Sequence, residues 1–169
     1  MGKRNMENSC KLSTGKPEWI RVCRDTKLTD RPIQNSIDNA KDAWKMLKCR
    51  AESEEQEVFY VISLDSQMSV IGISEVARGT ANNLGVHLRD IFRASIILGA
   101  VYIIVGHNHP SGRLDPSEAD RDLTKQLIKA GDLLGVKIID HIVVTAKGYY
   151  SFEEAGFIKA DGEYTGYNE

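Results

Sequence analysis

Two histidines two residues apart, His107 and His109, are followed at short range by Ser117 and Asp120. Imidazoles and carboxylates are both zinc ligands, and two of the first with one of the second make a three-ligand set of the kind found in catalytic zinc sites. Zinc prefers four ligands, so such a set leaves a position for water, whose proton is then lost near neutral pH. Each residue also has a plainer use. A histidine pair on a loop is often surface decoration, and an aspartate in a helix's first turn often answers only the helix dipole. The H-x-H pair does not make a site by itself; S-x-x-D on a capped helix after it is what points to a metal.

The surrounding elements have to bring these residues together. Val101-Tyr102-Ile103-Ile104-Val105 reads as a strand buried on both faces. It delivers the two histidines at its end, on one side of an extended backbone, before Pro110 and Gly112 break it into a loop. A helix is expected next, with Asp115 as N-cap, Pro116 at the first helical position and Glu118 completing a capping box. Ala119, Leu123, Leu127, Ala130 and Leu134 form its apolar stripe. Ser117 and Asp120 share a face of the first turn and can turn back toward the imidazoles.

The spacing H-x-H-x7-S-x2-D is the metal signature of the JAB/MPN (JAMM) metallopeptidase fold, and the run from His107 to His141 resembles the RadC family within it. The resemblance continues through Glu57-Val58-Phe59, Leu64-Asp65, Gly79-Thr80, His87-Leu88-Arg89-Asp90-Ile91-Phe92 and Ser151-Phe152, and covers residues 32 to 157. It implies an α/β, JAB/MPN-like (cytidine-deaminase-like) fold, a mixed sheet flanked by helices. Residues 1 to 31 are then a polar tail with a peripheral segment, and 158 to 169 a polar C-terminal tail. The resemblance implies Zn2+ held by His107, His109 and Asp120, with a glutamate at a helix-to-strand junction as general base. Glu57 matches that place and opens a strand, Val58 to Leu64, that is apolar on both faces. Glu75, in the segment Val70 to Val76, stays open as the alternative base or as an ordinary strand-edge charge. Ser117 is placed to donate to a tetrahedral oxyanion, or else only satisfies the helix start. The implied chemistry is hydrolysis of a peptide or isopeptide bond in a peptide or protein substrate.

RadC members have traditionally carried a DNA-repair label, so action on or near nucleic acid, in repair or on a mobile element, is the competing expectation. With 22 Lys and Arg against 24 Asp and Glu, the formal net charge is -2, which gives no global pull toward a polyanion. A local basic patch stays open. The chain is expected to lack room for the helix-hairpin-helix module of longer members. His107-Asn108-His109 is not the HNH nuclease motif, whose residues spread over a hairpin and a helix. The intact ligand set argues against a metal-free scaffold, and a zinc nucleoside deaminase would need a P-C-x-x-C half that is absent.

Cys10, Cys23 and Cys49 are odd in number and widely spaced, so reduced thiols and a cytoplasmic location are expected. The nearly continuous apolar run from Ala94 to Gly106 is too short to span a bilayer, and the polar N-terminus has no signal-peptide core. Residues 1 to 16 are expected to be disordered, Trp19 to Cys23 a peripheral strand, and Lys27 to Pro32 an extended connection. Ser36 is a candidate N-cap for a helix to Arg50, with Ile37, Ala40, Ala43, Trp44 and Leu47 on one face. Glu52, Glu54 and Glu55 read as a solvated turn, residues 57 to 77 as a hairpin turning at Asp65-Ser66-Gln67, and residues 78 to 83 as a loop. His87 suits the start of a helix running to Leu98. His141 lies within the strand Val136 to Val144, as a core residue or a support behind a ligand, less readily as a ligand itself. Tyr149 to Phe152 forms a last short strand, and the chain past Gly156 is expected to fray.

Overall fold

Strands that are apolar on both faces need cover on both sides of their sheet. The computed structural model, which describes residues 36–51, 54–79, 86–159 and Thr165, meets that need with one five-stranded sheet between helices. In chain order the elements are α1 (Ala40–Ala51), β1 (Glu57–Leu64), β2 (Val70–Gly79), α2 (Leu88–Leu98), β3 (Tyr102–Asn108), α3 (Glu118–Leu134), β4 (Lys137–Val144) and β5 (Tyr149–Ser151). The strand order is β2-β1-β3-β4-β5; β3 and β4 are parallel and the other neighbours antiparallel. This is the mixed α/β architecture that the sequence predicts. The segments expected within residues 1–35, and the loop over residues 80–85, lie outside the described residues.

Alternation along β1 sorts the core into two layers. Val58, Tyr60, Ile62 and Leu64 pack with Ile104 and Ile142 beneath Ala43 and Leu47 of α1. Phe59 and Val61 pack with Ile103, Val105 and Val143 beneath Ile91 and Phe92 of α2 and Leu127 and Ile128 of α3. Burying a side chain such as Phe59 contributes about 1.5–3 kcal/mol. The helix α1 approaches β3 so closely that a Cβ on Gly106 would lie 2.5 Å from Leu47 Cδ1. A larger residue there would therefore force the Leu47 side chain aside and crowd the Ile142 carbonyl, 3.3 Å from the same Cβ.

Several boundaries differ from the sequence reading. The helix α1 starts at Ala40, where Asn39 Oδ1 accepts from Asp42 N at 3.1 Å; Ser36 is drawn instead into a bridge with Ser69. The N-cap of α3 is Ser117 rather than Asp115, and Pro116 is buried ahead of it. Ser117 and Asp120 satisfy two otherwise unpaired N–H groups reciprocally, so the capping box begins two residues later than expected. The buried face of α3 is Asp120, Thr124, Leu127, Ile128 and Gly131, while Ala119 and Leu134 are exposed. Polar contacts at the N-terminal end of α3, absent from any apolar count, set the rotation of this helix. Past Gly156, Phe157 and Ile158 are core residues rather than a frayed tail. Glu54 is not simply solvated; it pairs with Arg78.

The strand β4 carries a bulge. Ile103 pairs with Ile138 and Ile104 with Asp140, so Ile139 is an extra residue. Strict alternation would put Ile138 and His141 on opposite faces; the bulge puts both on the α2/α3 side. The Asp140 carboxylate holds this bend, accepting from His141 N at 2.7 Å, Ser151 Oγ at 2.7 Å and Glu153 N at 3.0 Å. Burial pushes the Asp140 carboxyl up to about 7 against the pull of those three donors. An unfolded aspartate titrates near 3.9, so the folded chain binds this proton more tightly. The stability it confers is complete below about pH 4 and is lost as pH rises through about 7, a change on the order of 4 kcal/mol at most. Metal-free wild type should therefore lose melting temperature relative to Asp140→Asn between pH 4 and 8. Parallel curves for the two proteins would show that Asp140 does not titrate in this range.

Candidate metal centre

The antiparallel register pairs Phe59 with His107, so Glu57, two residues earlier, lies level with position 109 on the same face. His107 sits inside β3, fully buried, with the Phe59 ring stacked on it at 5.9 Å. His109 lies one residue beyond the strand, anchored by its N–H to the Val144 carbonyl at 3.2 Å. The two imidazoles meet with their Nε2 atoms 3.1 Å apart.

The first turn of α3 supplies the carboxylate. Ser117 donates to Asp120 Oδ2 from its backbone N at 2.7 Å and its hydroxyl at 2.6 Å, and Ser117 Oγ accepts from Asp120 N at 3.2 Å. Such a cap stabilises a helix by about 1 kcal/mol. With Oδ2 used in this way, Oδ1 faces His107 Nε2 at 3.3 Å, and Oδ2 stands 3.8 Å from His109 Nε2. Ligand atoms of a tetrahedral zinc, each about 2.0–2.2 Å from the metal, are about 3.3–3.6 Å apart, within a few tenths of an ångström of the 3.1, 3.3 and 3.8 Å between these residues. Glu57 Oε1 is 4.0 Å from His107 Nε2, and ligand atoms of all four residues lie within 4.8 Å of one another.

The hydrogen bonds behind the imidazoles decide which nitrogen carries the proton. Thr124 Oγ1 donates its only proton to the Asp120 carbonyl at 2.6 Å, so at 2.7 Å it must accept from His141 Nδ1–H. In the neutral ring, His141 Nε2 is then a bare acceptor, and at 3.0 Å it takes the proton of His107 Nδ1. His109 Nδ1 lies 2.9 Å from the Arg113 carbonyl, which can only accept. Both Nε2 atoms therefore point lone pairs into the same space, with an aspartate oxygen beside them. Three electron-rich atoms converging without a proton are unfavourable unless a cation sits among them, so these residues fit a divalent metal.

The electrostatics agree. Burial pushes His107 down to about 4, against the pull of Asp120, and pushes His141 well below its usual range. Burial works against the charged form of Asp120, but the neighbouring His107 and the hydrogen bonds of Ser117 outweigh it and lower its pKa. Neutral imidazole and ionised carboxylate are the forms that bind metals. Burial raises Glu57, opposed by His109 and reinforced by Asp120.

Glu75 lies across from Tyr60, on the α1 side of the sheet, and bonds to Arg78 at 2.9 and 3.0 Å. The structure brings Glu57, and not Glu75, to the histidines. His87 is the exposed N-cap of α2, outside the cluster. The residue that sequence reasoning missed is Asn108. It is buried, and its side chain brackets Glu57: Oδ1 accepts from Val58 N at 2.7 Å and Nδ2 donates to the Gln56 carbonyl at 3.0 Å. Only the β1–β3 pairing reveals this role, because the partners are 50 and 52 residues away.

Residues 37–157 match a family described as RadC-like JAB domain. A UPF0758 protein of Actinobacillus pleuropneumoniae serotype 5b (strain L20) is 39% identical over 149 residues, which is 85% of this chain and 68% of that protein. A UPF0758 protein of Thermotoga maritima is 45% identical over 102 residues, 60% of this chain and 46% of that protein.

Proposed function

From a chain that belongs to the RadC-like JAB domain family, we propose a zinc-dependent hydrolase of the JAMM type that cleaves a peptide or isopeptide bond. The observation that carries this reading is the convergence of His107 Nε2, His109 Nε2 and Asp120 Oδ1, all without protons, beside the buried carboxyl of Glu57. Zinc held there by His107, His109 and Asp120 supplies Lewis acidity, lowering the pKa of a water toward neutrality and polarising a carbonyl. Glu57 takes the proton of the attacking water and later passes it to the leaving amine. Ser117 stands at the exposed rim of the site and donates to the oxyanion. Its single proton rests on Asp120 Oδ2, so this donation requires the hydroxyl to rotate away. Asn108 acts only through Glu57, by fixing the backbone on either side of it.

The widely spaced, odd cysteines support a reducing, cytoplasmic location. Among the described residues, no helix is long and apolar enough to cross a membrane. Elemental analysis of protein purified without added metal tests the reading. The expected result is about one zinc per chain, removed by a chelator. Protein that neither carries zinc nor takes it up from solution would end the proposal, and stoichiometric iron would move the site to oxygen chemistry.

A further inference from the structure

Three hydrogen bonds and one contact across the site link His107 in a closed circuit. His107 Nδ1 donates to His141 Nε2, His141 Nδ1 donates to Thr124 Oγ1, and Thr124 donates to the backbone carbonyl of Asp120. The side chain of that same Asp120 returns to His107 Nε2 across the site. We propose that His141, backed by Thr124, is the positioning residue of the metal centre: it holds His107 with its proton on Nδ1 and ties β3 to the first turn of α3. This inference rests on the metal reading above for its consequences, although not for its geometry.

Three features leave His141 little freedom to do otherwise. The β4 bulge turns it to the α2/α3 face, and the Asp140 carboxylate holds its backbone N–H. Its ring stacks on Phe152 at 4.7 Å with an interplanar angle of 8°. It is fully buried, so its two nitrogens have no solvent to turn to. The single proton of Thr124 is used on Asp120, which sets the direction of every bond from the helix back to His107. An isolated neutral imidazole can carry its proton on either nitrogen. On Nε2 that proton would stand where His109 and Asp120 converge and would block the metal. His141 supplies the acceptor that keeps it on the other side.

The test uses full-length, 15N-labelled protein. Long-range 1H–15N spectra of the imidazoles are recorded after metal removal, and zinc affinity is then measured by competition with a chelating dye. In metal-free wild type, His107 should be protonated on Nδ1 and bare on Nε2. His141→Phe keeps a flat ring but offers no acceptor. Its His107 proton should move to Nε2, and zinc binding should weaken about 10- to 100-fold, the usual loss when a group supporting a metal ligand is removed. His141→Gln again offers an acceptor and a donor, and should restore the Nδ1 proton and most of the affinity. A His107 proton on Nε2 in wild type would overturn the proposal, whether or not the variants fold. So would a His141→Phe protein with unchanged tautomer and affinity. The tautomer is read without metal, so failure of wild type to bind zinc would remove the metal reading and leave the spectrum to judge the positioning of His107.

Discussion

His109→Ala and Asp120→Ala should each leave the protein without bound zinc. Each removes one of three candidate ligand side chains whose nearest polar atoms stand 3.1 to 3.8 Å apart. The remaining pair offers two bonds to a metal that wants four. The two variants should differ in stability. His109 lies just past β3, and its side chain meets a nearby loop carbonyl and the other residues of the site but no apolar core, so His109→Ala should fold much as wild type does. Asp120→Ala also removes half of the box that caps α3, at a cost of about 1 kcal/mol. Asp120→Asn separates the two effects, because an amide oxygen still accepts from Ser117 but carries no charge for the metal. Metal content by elemental analysis and folding by circular dichroism together decide. Unchanged zinc in both alanine variants would mean that other residues hold the metal.

Glu57→Gln should keep both zinc and fold and lose turnover about 10²- to 10⁴-fold, the range for removing a general base. Glutamine is nearly isosteric and can still hydrogen-bond a water, but it cannot accept a proton at neutral pH. Burial raises the Glu57 carboxyl in the metal-free protein, and a divalent cation beside it would favour the ionised form that a base needs. Glu75→Gln, on the other face of the sheet and bonded to Arg78, is the control and should stay within a few-fold of wild type. In the same assay Ser117→Ala should lose about 10²- to 10³-fold if its hydroxyl serves the oxyanion. A screen of a peptide library supplies the substrate. A dead Glu75→Gln beside an active Glu57→Gln would transfer the base to Glu75 and leave the metal site intact.

The pattern of the candidate metal ligands was legible because it is local. Two histidines at strand spacing, and a serine and an aspartate one helical turn apart, have relative directions set by backbone periods of 2 and 3.6 residues. The apolar runs of β1, β3 and β4 likewise announced a sheet covered on both sides, because a strand with no polar face cannot meet water. Local periods say nothing of which strands become neighbours or how a helix is rotated. The pairing of Phe59 with His107 brought Glu57 to the histidines, whereas Glu75, the alternative base, was turned away beside Tyr60. The extra residue in β4 reversed the alternation and aimed His141 at His107, a change no hydrophobic pattern encodes. The rotation of α3 departed from its apolar stripe because Asp120 and Thr124 gain hydrogen bonds inside that Ala119 and Leu123 could not make. Residue types and spacing thus determined which ligands this chain could offer. Long-range register, one bulge and buried hydrogen bonds decided which carboxyl joins them and where each imidazole proton lies, because those depend on partners far away in sequence.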